Sequence, residues 1–131
     1  MKKILFCSLI IVLVLVNMIS CTNSEAEDKT VYRKITVDEA KKMMDTEKVI
    51  VLDVRNKDEY DQGHIKNAIL LPNPEIEQRA SEVLPDKNAK ILVYCRSGKR
   101  SAEASKKLID MGYTNIYDFG GIMDWKYEIV K

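Results

Sequence analysis

Cysteine, glycine and histidine are scarce in this chain, and their scarcity removes several kinds of chemistry at once. The 131 residues hold three cysteines, five glycines and one histidine. No two cysteines form a C-x-x-C pair, which excludes a thioredoxin-type dithiol mechanism within the chain. The glycines build neither a phosphate-binding loop nor a dinucleotide fingerprint, and no cluster of ligating residues has metal-site spacing. No cofactor and no metal are therefore expected. Around His64, the lone histidine, nothing reads as a catalytic base partner, so a hydrogen-bonded structural role is expected. Excess charge is missing too: 21 basic residues face 20 acidic ones. Such balance gives no electrostatic case for binding nucleic acid. Internal repeats are absent, and the length suits one domain rather than two.

The first twenty residues differ in kind from the rest. Lys2 and Lys3 precede an almost unbroken apolar run from Ile4 to Val16. That run falls short of the roughly 20 residues a spanning helix needs, which favours an export signal over a transmembrane anchor. Ser20 before Cys21 resembles the lipobox of bacterial lipoproteins, with Met18 where leucine is usual. The resemblance implies cleavage of residues 1–20 and a fatty acyl chain such as palmitate on Cys21. The domain would then sit outside the cytoplasm on a bacterial membrane, inner or outer. Residues 22–30 are polar and without periodicity, so residues 21–30 read as a lipidated cysteine and its tether, which holds the domain roughly 15–20 Å from the surface. Processing removes Lys2 and Lys3 and leaves 19 basic against 20 acidic residues, a net charge of −1. It also removes Cys7, so Cys95 becomes the one free thiol.

Strand and helix signals alternate through residues 31–131. Strands are expected at Val31 to Ile35, Val49 to Leu52, Ala68 to Leu71, Lys90 to Tyr94 and Ile116 to Phe119. Thr36 with Glu39 forms a capping box for a helix that places Val37, Ala40, Met43 and Met44 on one face. Asn56 and Glu59 suggest a second, short helix ending near Gly63. Asn73-Pro74 opens a third, stopped by Pro85. Ser101 to Met111 is a fourth, ended by Gly112, and a short helix is expected to carry Trp125. This β-α alternation argues for an open parallel sheet covered on both faces, with ligands at the carboxyl ends of its strands.

Cys95 falls at such an end. The run Cys95-Arg96-Ser97-Gly98-Lys99-Arg100-Ser101 passes from a buried strand through a short basic loop into a helix. That turn aims backbone N–H groups and the positive end of the helix dipole at one small volume. A thiol there is expected to react as a thiolate.

Four features together resemble the single-domain rhodaneses. They are Asp53-Val54-Arg55, the stretch Glu59 to Ile65 with Ala68, the Cys95 loop, and Gly120-Gly121-Ile122 with Trp125. The resemblance spans residues 31–131 and implies an α/β fold with a five-stranded parallel sheet. It also implies transfer of sulfane sulfur, through a persulfide on Cys95, from a donor such as thiosulfate to a thiol or cyanide acceptor. The expected partners are these small molecules and the membrane under the lipid anchor, with the protein a monomer.

Cys95 is the catalytic candidate. The substrate-binding set is Arg96, Ser97, Gly98, Lys99, Arg100, Ser101 and Arg55, with Arg96 and Arg100 preferred as anion binders. Asp53 and Arg55 are expected to pair with each other's neighbours, Glu59 being a candidate, and to brace the loop. Four residues separate Cys95 from Arg100, where cysteine phosphatases use five to hold phosphate, so a phosphatase or arsenate reductase is disfavoured. A catalytically silent rhodanese module for binding or sensing is the other rival. Ser97 stands where thiosulfate-preferring two-domain rhodaneses carry lysine, which leaves the donor open.

Overall fold

Successive side chains of a strand point to opposite faces of its sheet. In β5 (Ile91–Cys95) all five residues are buried, so both faces must be covered. Ile91, Val93 and Cys95 pack into one apolar cluster, while Leu92 and Tyr94 pack into a second. The computed structural model describes residues 29–131 and puts β5 at the middle of a five-stranded sheet. Its neighbours are β2 (Ile50–Asp53) on one side and β6 (Asn115–Gly121) on the other. β4 (Ile69–Leu70) lies outside β2, and β1 (Val31–Lys34) lies outside β6. Every pairing in this sheet is parallel. The expected export signal, the expected lipidation site Cys21 and nearly all of the expected tether lie outside the described residues.

Among the described residues four α-helices clothe the sheet: α1 (Val37–Thr46), α2 (Lys57–Gln62), α3 (Ile76–Val83) and α4 (Lys99–Asp110). α3 and α4 bury Ile76, Ala80, Ala104 and Leu108 in the cluster that holds Cys95. α1 covers the other face with Ala40, and its Val37, Met43 and Met44 pack around it. The Thr36 capping box is formed in both directions: Thr36 N–H donates to Glu39 and Glu39 N–H donates to Thr36 Oγ1. The expected α/β class and five parallel strands are thus observed.

Three details differ from the sequence reading. α4 begins at Lys99 rather than Ser101, because Gly98 takes the N-cap position at once. The two residues that precede Ser101, Lys99 and Arg100, are charged, so apolar periodicity is blind to them. Trp125 sits just past a single 3-10 turn (Ile122–Asp124), not within a helix. Beyond it the chain becomes extended, and β7 (Ile129–Val130) pairs antiparallel with β3 (His64–Ile65). Two-residue strands are too short to show a period, so this ribbon left no signal in the sequence.

Candidate active site

Cys95 ends the central strand with its side chain almost wholly covered, at 1% exposure. The β5–β6 register slips between Val93 and Cys95, so that Cys95 faces Gly121 where an even ladder would place Gly120. Such a bulge re-aims the strand end. Gly98 N–H donates to Cys95 Sγ at 3.0 Å. Gly98 has φ +106°, a left-handed conformation that side-chain-bearing residues rarely take, and α4 starts at the next residue. The unpaired N–H groups of a first helical turn therefore come directly after the turn that encloses the sulfur.

The loop rests on backbone from β6. A Cβ at Gly121 would overlap the Arg96 carbonyl and stand 2.7 Å from Ser97 Cα, so only glycine permits the approach. Met123 N–H donates to Arg96 O at 3.2 Å. Ser101 Oγ donates to Gly98 O at 3.0 Å and reaches Gly120 O at 3.3 Å. Its side chain is fully buried, so the hydroxyl braces the loop instead of facing a ligand. Ser101, expected in the substrate-binding set, thus spends its hydroxyl on the loop.

Beneath the loop lies a buried polar network. Asp53 and Arg55 pair with each other directly: Arg55 Nη2 donates to Asp53 Oδ2 at 2.7 Å, and Arg55 Nε donates to Oδ1 at 3.0 Å. Arg55 Nη2 also donates to Gly63 O at 2.8 Å. Tyr94 Oη donates to Asp53 Oδ2 at 2.6 Å and accepts Ile65 N–H at 3.2 Å. Burial, and then the Asp53 charge, push the Tyr94 hydroxyl far above its ordinary range, so it stays a donor. Burial works against the Arg55 charge, but Asp53 outweighs it and raises the guanidinium above its usual value. Removing either partner strands a buried charge, which costs about 3–5 kcal/mol.

Glu59 does not join that pair, contrary to expectation. It holds Arg100: Nη1 donates to Oε2 at 2.7 Å and Nη2 to Oε1 at 3.0 Å. A two-point clamp of this kind fixes orientation as well as charge. The preferred anion binder Arg100 thus has a carboxylate on its guanidinium. Arg96, Ser97 and Lys99 are exposed. Among the described residues Arg96 has no carboxylate within ion-pair distance. His64 stacks on the Tyr60 ring at 3.7 Å, and its Nδ1 lies 2.9 Å from Tyr60 O.

Two contributors escaped the sequence reading. Tyr94 reads in the sequence only as a strand residue, yet a tyrosine on a buried strand needs a partner for its hydroxyl. Its pairing register opposite Asp53 supplies one. Asp118, also buried, accepts Gly120 N–H at 2.9 Å and so shapes the bulge. Next to the loop opens a cleft of about 420 Å³. It is lined by Arg55, Glu59 and Arg96 together with Ile122, Met123 and Ile129.

Fold and site define a parallel α/β domain whose central strand ends in one thiol, enclosed by a basic strand–loop–helix turn. The family model of the rhodanese-like domain matches residues 36–128, and the chain belongs to that family. The thiosulfate sulfurtransferase PspE of Escherichia coli is 40% identical over 80 residues, covering 61% of this chain and 77% of the relative. A sulfurtransferase of Allochromatium vinosum is 38% identical over 87 residues, covering 66% and 79%. Among solved structures, an E. coli rhodanese with anions superposes with a TM-score of 0.60 at 37% identity. That match covers 64% of this chain and 99% of the E. coli chain. A rhodanese-related protein of Thermoplasma volcanium gives 0.66 at 31% identity, covering 76% and 98%.

Proposed function

We propose that this protein is a sulfurtransferase in which Cys95 carries sulfane sulfur as a persulfide. The observation that carries the reading is the turn around Sγ. The thiol accepts Gly98 N–H at 3.0 Å directly before the first turn of α4, within a loop of four residues between Cys95 and Arg100. In the first half-reaction the Cys95 thiolate attacks the outer sulfur of a donor such as thiosulfate. The donor's S–S bond breaks, its electron pair leaves on sulfite, and Cys95–S–S⁻ remains. In the second, a thiolate or cyanide takes the outer sulfur and restores the thiolate, which is ping-pong catalysis. The attacking thiolate and the persulfide it forms both carry their charge on sulfur, so fixed N–H donors and the exposed Arg96 stabilise each without rearrangement. The sulfurtransferases among the relatives and the short loop support this chemistry over phosphoester hydrolysis.

The reading includes location. Residues 1–20 act as an export signal, Cys21 receives the lipid, and the domain works outside the cytoplasm on a membrane.

Incubating purified protein with thiosulfate and cyanide tests the chemistry. Thiocyanate should be released, and intact mass should rise by one sulfur (about 32 Da) on Cys95. The Cys95→Ser variant should lose turnover by at least about a thousandfold, the scale for removing a covalent nucleophile. Full activity in Cys95→Ser, or no adduct with any sulfane donor, sinks the reading. Release of phosphate from an aryl phosphate would point to the rival chemistry.

A further inference from the structure

Parallel strands all begin at one edge of their sheet, so the chain enters this domain at the edge opposite Cys95. Residues 29 and 30 lead into β1, whose Val31 N–H donates at 2.6 Å to the carbonyl of Thr114, just before β6 begins. From that edge β5 runs five residues to Cys95, roughly 15 Å at about 3.3 Å per residue. The segment that carries Cys21 therefore joins the domain on the far side from the thiol.

The same edge has an apolar corner where β2 and β4 begin. Two open hollows of about 280 and 330 Å³ lie there and share Lys48, Val49 and Ile50. Met44, Ile69 and Ala89 extend the apolar lining, and Ile69 is 38% exposed on the edge strand β4. The charged rim is Glu47, Lys48, Lys66, Asp86 and Lys90. Lys90 donates to Glu47 at 3.2 Å, and Asp86 accepts Asn88 N–H at 2.9 Å. Lys48 and Lys66 have no carboxylate within ion-pair distance among the described residues. Apolar side chains between outward lysines fit a lipid–water interface, where the stems stay in the apolar zone and the ammonium groups meet phosphates. In the sheet order β2 and β4 stand three and four strand spacings from β1, about 15–20 Å along the edge. A tether at one end of an edge and this corner at the other are two separate contacts, and two contacts fix an orientation that one cannot.

We infer that this edge lies on anionic lipid through Lys48, Lys66 and the apolar residues between them, with Cys95 turned toward the water. The inference rests on the lipid anchor proposed at Cys21 and adds the face with which the anchored domain meets the membrane. Each lysine at an anionic surface raises the bound population about fivefold, too little to hold the domain without the lipid but enough to orient it. Sulfur donor and acceptor then reach Cys95 from solution. The rival partner for these lysines is the tether itself, through Glu25, Glu27 and Asp28.

Full-length protein from a bacterial host, bound to vesicles and treated with a membrane-impermeant amine-acetylating reagent, provides the test. One set of vesicles is phosphatidylcholine, and the other is phosphatidylcholine mixed with phosphatidylglycerol. Mass spectrometry should show Lys48, Lys66 and Lys90 acetylated at least about fivefold more slowly on the anionic vesicles. Lys57, near the Cys95 edge and 73% exposed, should react equally on both. Salt at about 1 M should abolish the difference. The double variant Lys48→Gln, Lys66→Gln should stay on both vesicles and keep wild-type thiocyanate release, while Lys90 loses its protection. Equal acetylation on the two vesicle types, with wild type bound to both, overturns this inference alone and assigns the lysines to the tether's acids or to water. Protection of Lys57 instead would turn the Cys95 edge to the lipid and overturn it too. Failure of wild type to stay on either vesicle removes the anchor reading, and this inference falls with it.

Discussion

Glu59 carries two contacts on one carboxylate. Its Oε2 accepts Asn56 N–H at 3.0 Å, which closes the first turn of α2, and the same oxygen takes Arg100 Nη1. The Arg100 hydrogen bond, ahead of the Asn56 N–H and the charges of Arg100 and Arg55, holds the Glu59 carboxyl down to about 2 although burial opposes it. A carboxyl depressed in the folded state stabilises that state above its unfolded value, near 4.5, and loses the contribution as pH falls toward 2. The clamp is thus intact throughout the neutral range and fails only in strong acid. Both side chains keep about 30% exposure (30% and 28%), so solvent screens the pair and its worth is about 1–2 kcal/mol. Glu59→Gln keeps an acceptor for Asn56 but removes the charge. Urea unfolding should show it about 1–2 kcal/mol less stable at pH 7, with the difference shrinking between pH 4.5 and pH 2. A constant difference across that range would count against the clamp.

At the scale of elements, the site is made by strand ends meeting a helix start, and β6 governs how closely they meet. Gly121 has ordinary extended backbone, φ −128°, so its role is not conformational freedom. It is the absence of a side chain where the Arg96 carbonyl passes. Gly121→Ala should force the loop off β6 and cost about 1–3 kcal/mol by overpacking. Because the displaced atoms are loop backbone, persulfide formation on Cys95 should fall by more than the stability loss predicts. Parallel measurements of thermal unfolding and sulfur loading would reveal that gap. Gly98 acts differently: its positive φ turns the chain so that α4 begins at once and its N–H meets the sulfur. The strand, loop and helix were legible in the sequence, because β-branched runs, a basic glycine loop and helical spacing are all local signals. The bulge was not, since a register slip is a property of two strands together.

For the whole molecule, the sheet order places β5 between β2 and β6, so the thiol has Asp53 and Arg55 on one side and Gly121 on the other. Parallel strands put all these carboxyl ends at one edge, as doubly covered sheets do. The network of Asp53, Arg55 and Tyr94 locks β2 to β5 just below that edge. The lipid anchor proposed at Cys21 would set where this edge works. Labelled fatty acid should be incorporated into the wild-type protein in a bacterial host and not into Cys21→Ser. The Cys21→Ser protein should leave the membrane fraction, while its sulfur transfer in solution stays within about twofold of wild type. Label retained by Cys21→Ser would place the lipid elsewhere.

Local chemistry in the sequence was enough to set the α/β class, the five strands of the parallel sheet, the capped helices and the candidate thiol in its basic loop. It also marked Asp53, Arg55 and Glu59 as residues that matter near that loop. Which charge pairs with which was decided only by tertiary structure, because partners such as Glu59 and Arg100 stand 41 residues apart. The same holds for the buried tyrosine on Asp53, the bulge opposite Cys95 and Ile129, brought to the cleft by a ribbon of two-residue strands. Periodicity reports which face of an element is buried. Distance between elements depends on packing, and packing gave Arg100 a carboxylate partner while Arg96 and Lys99 have none among the described residues.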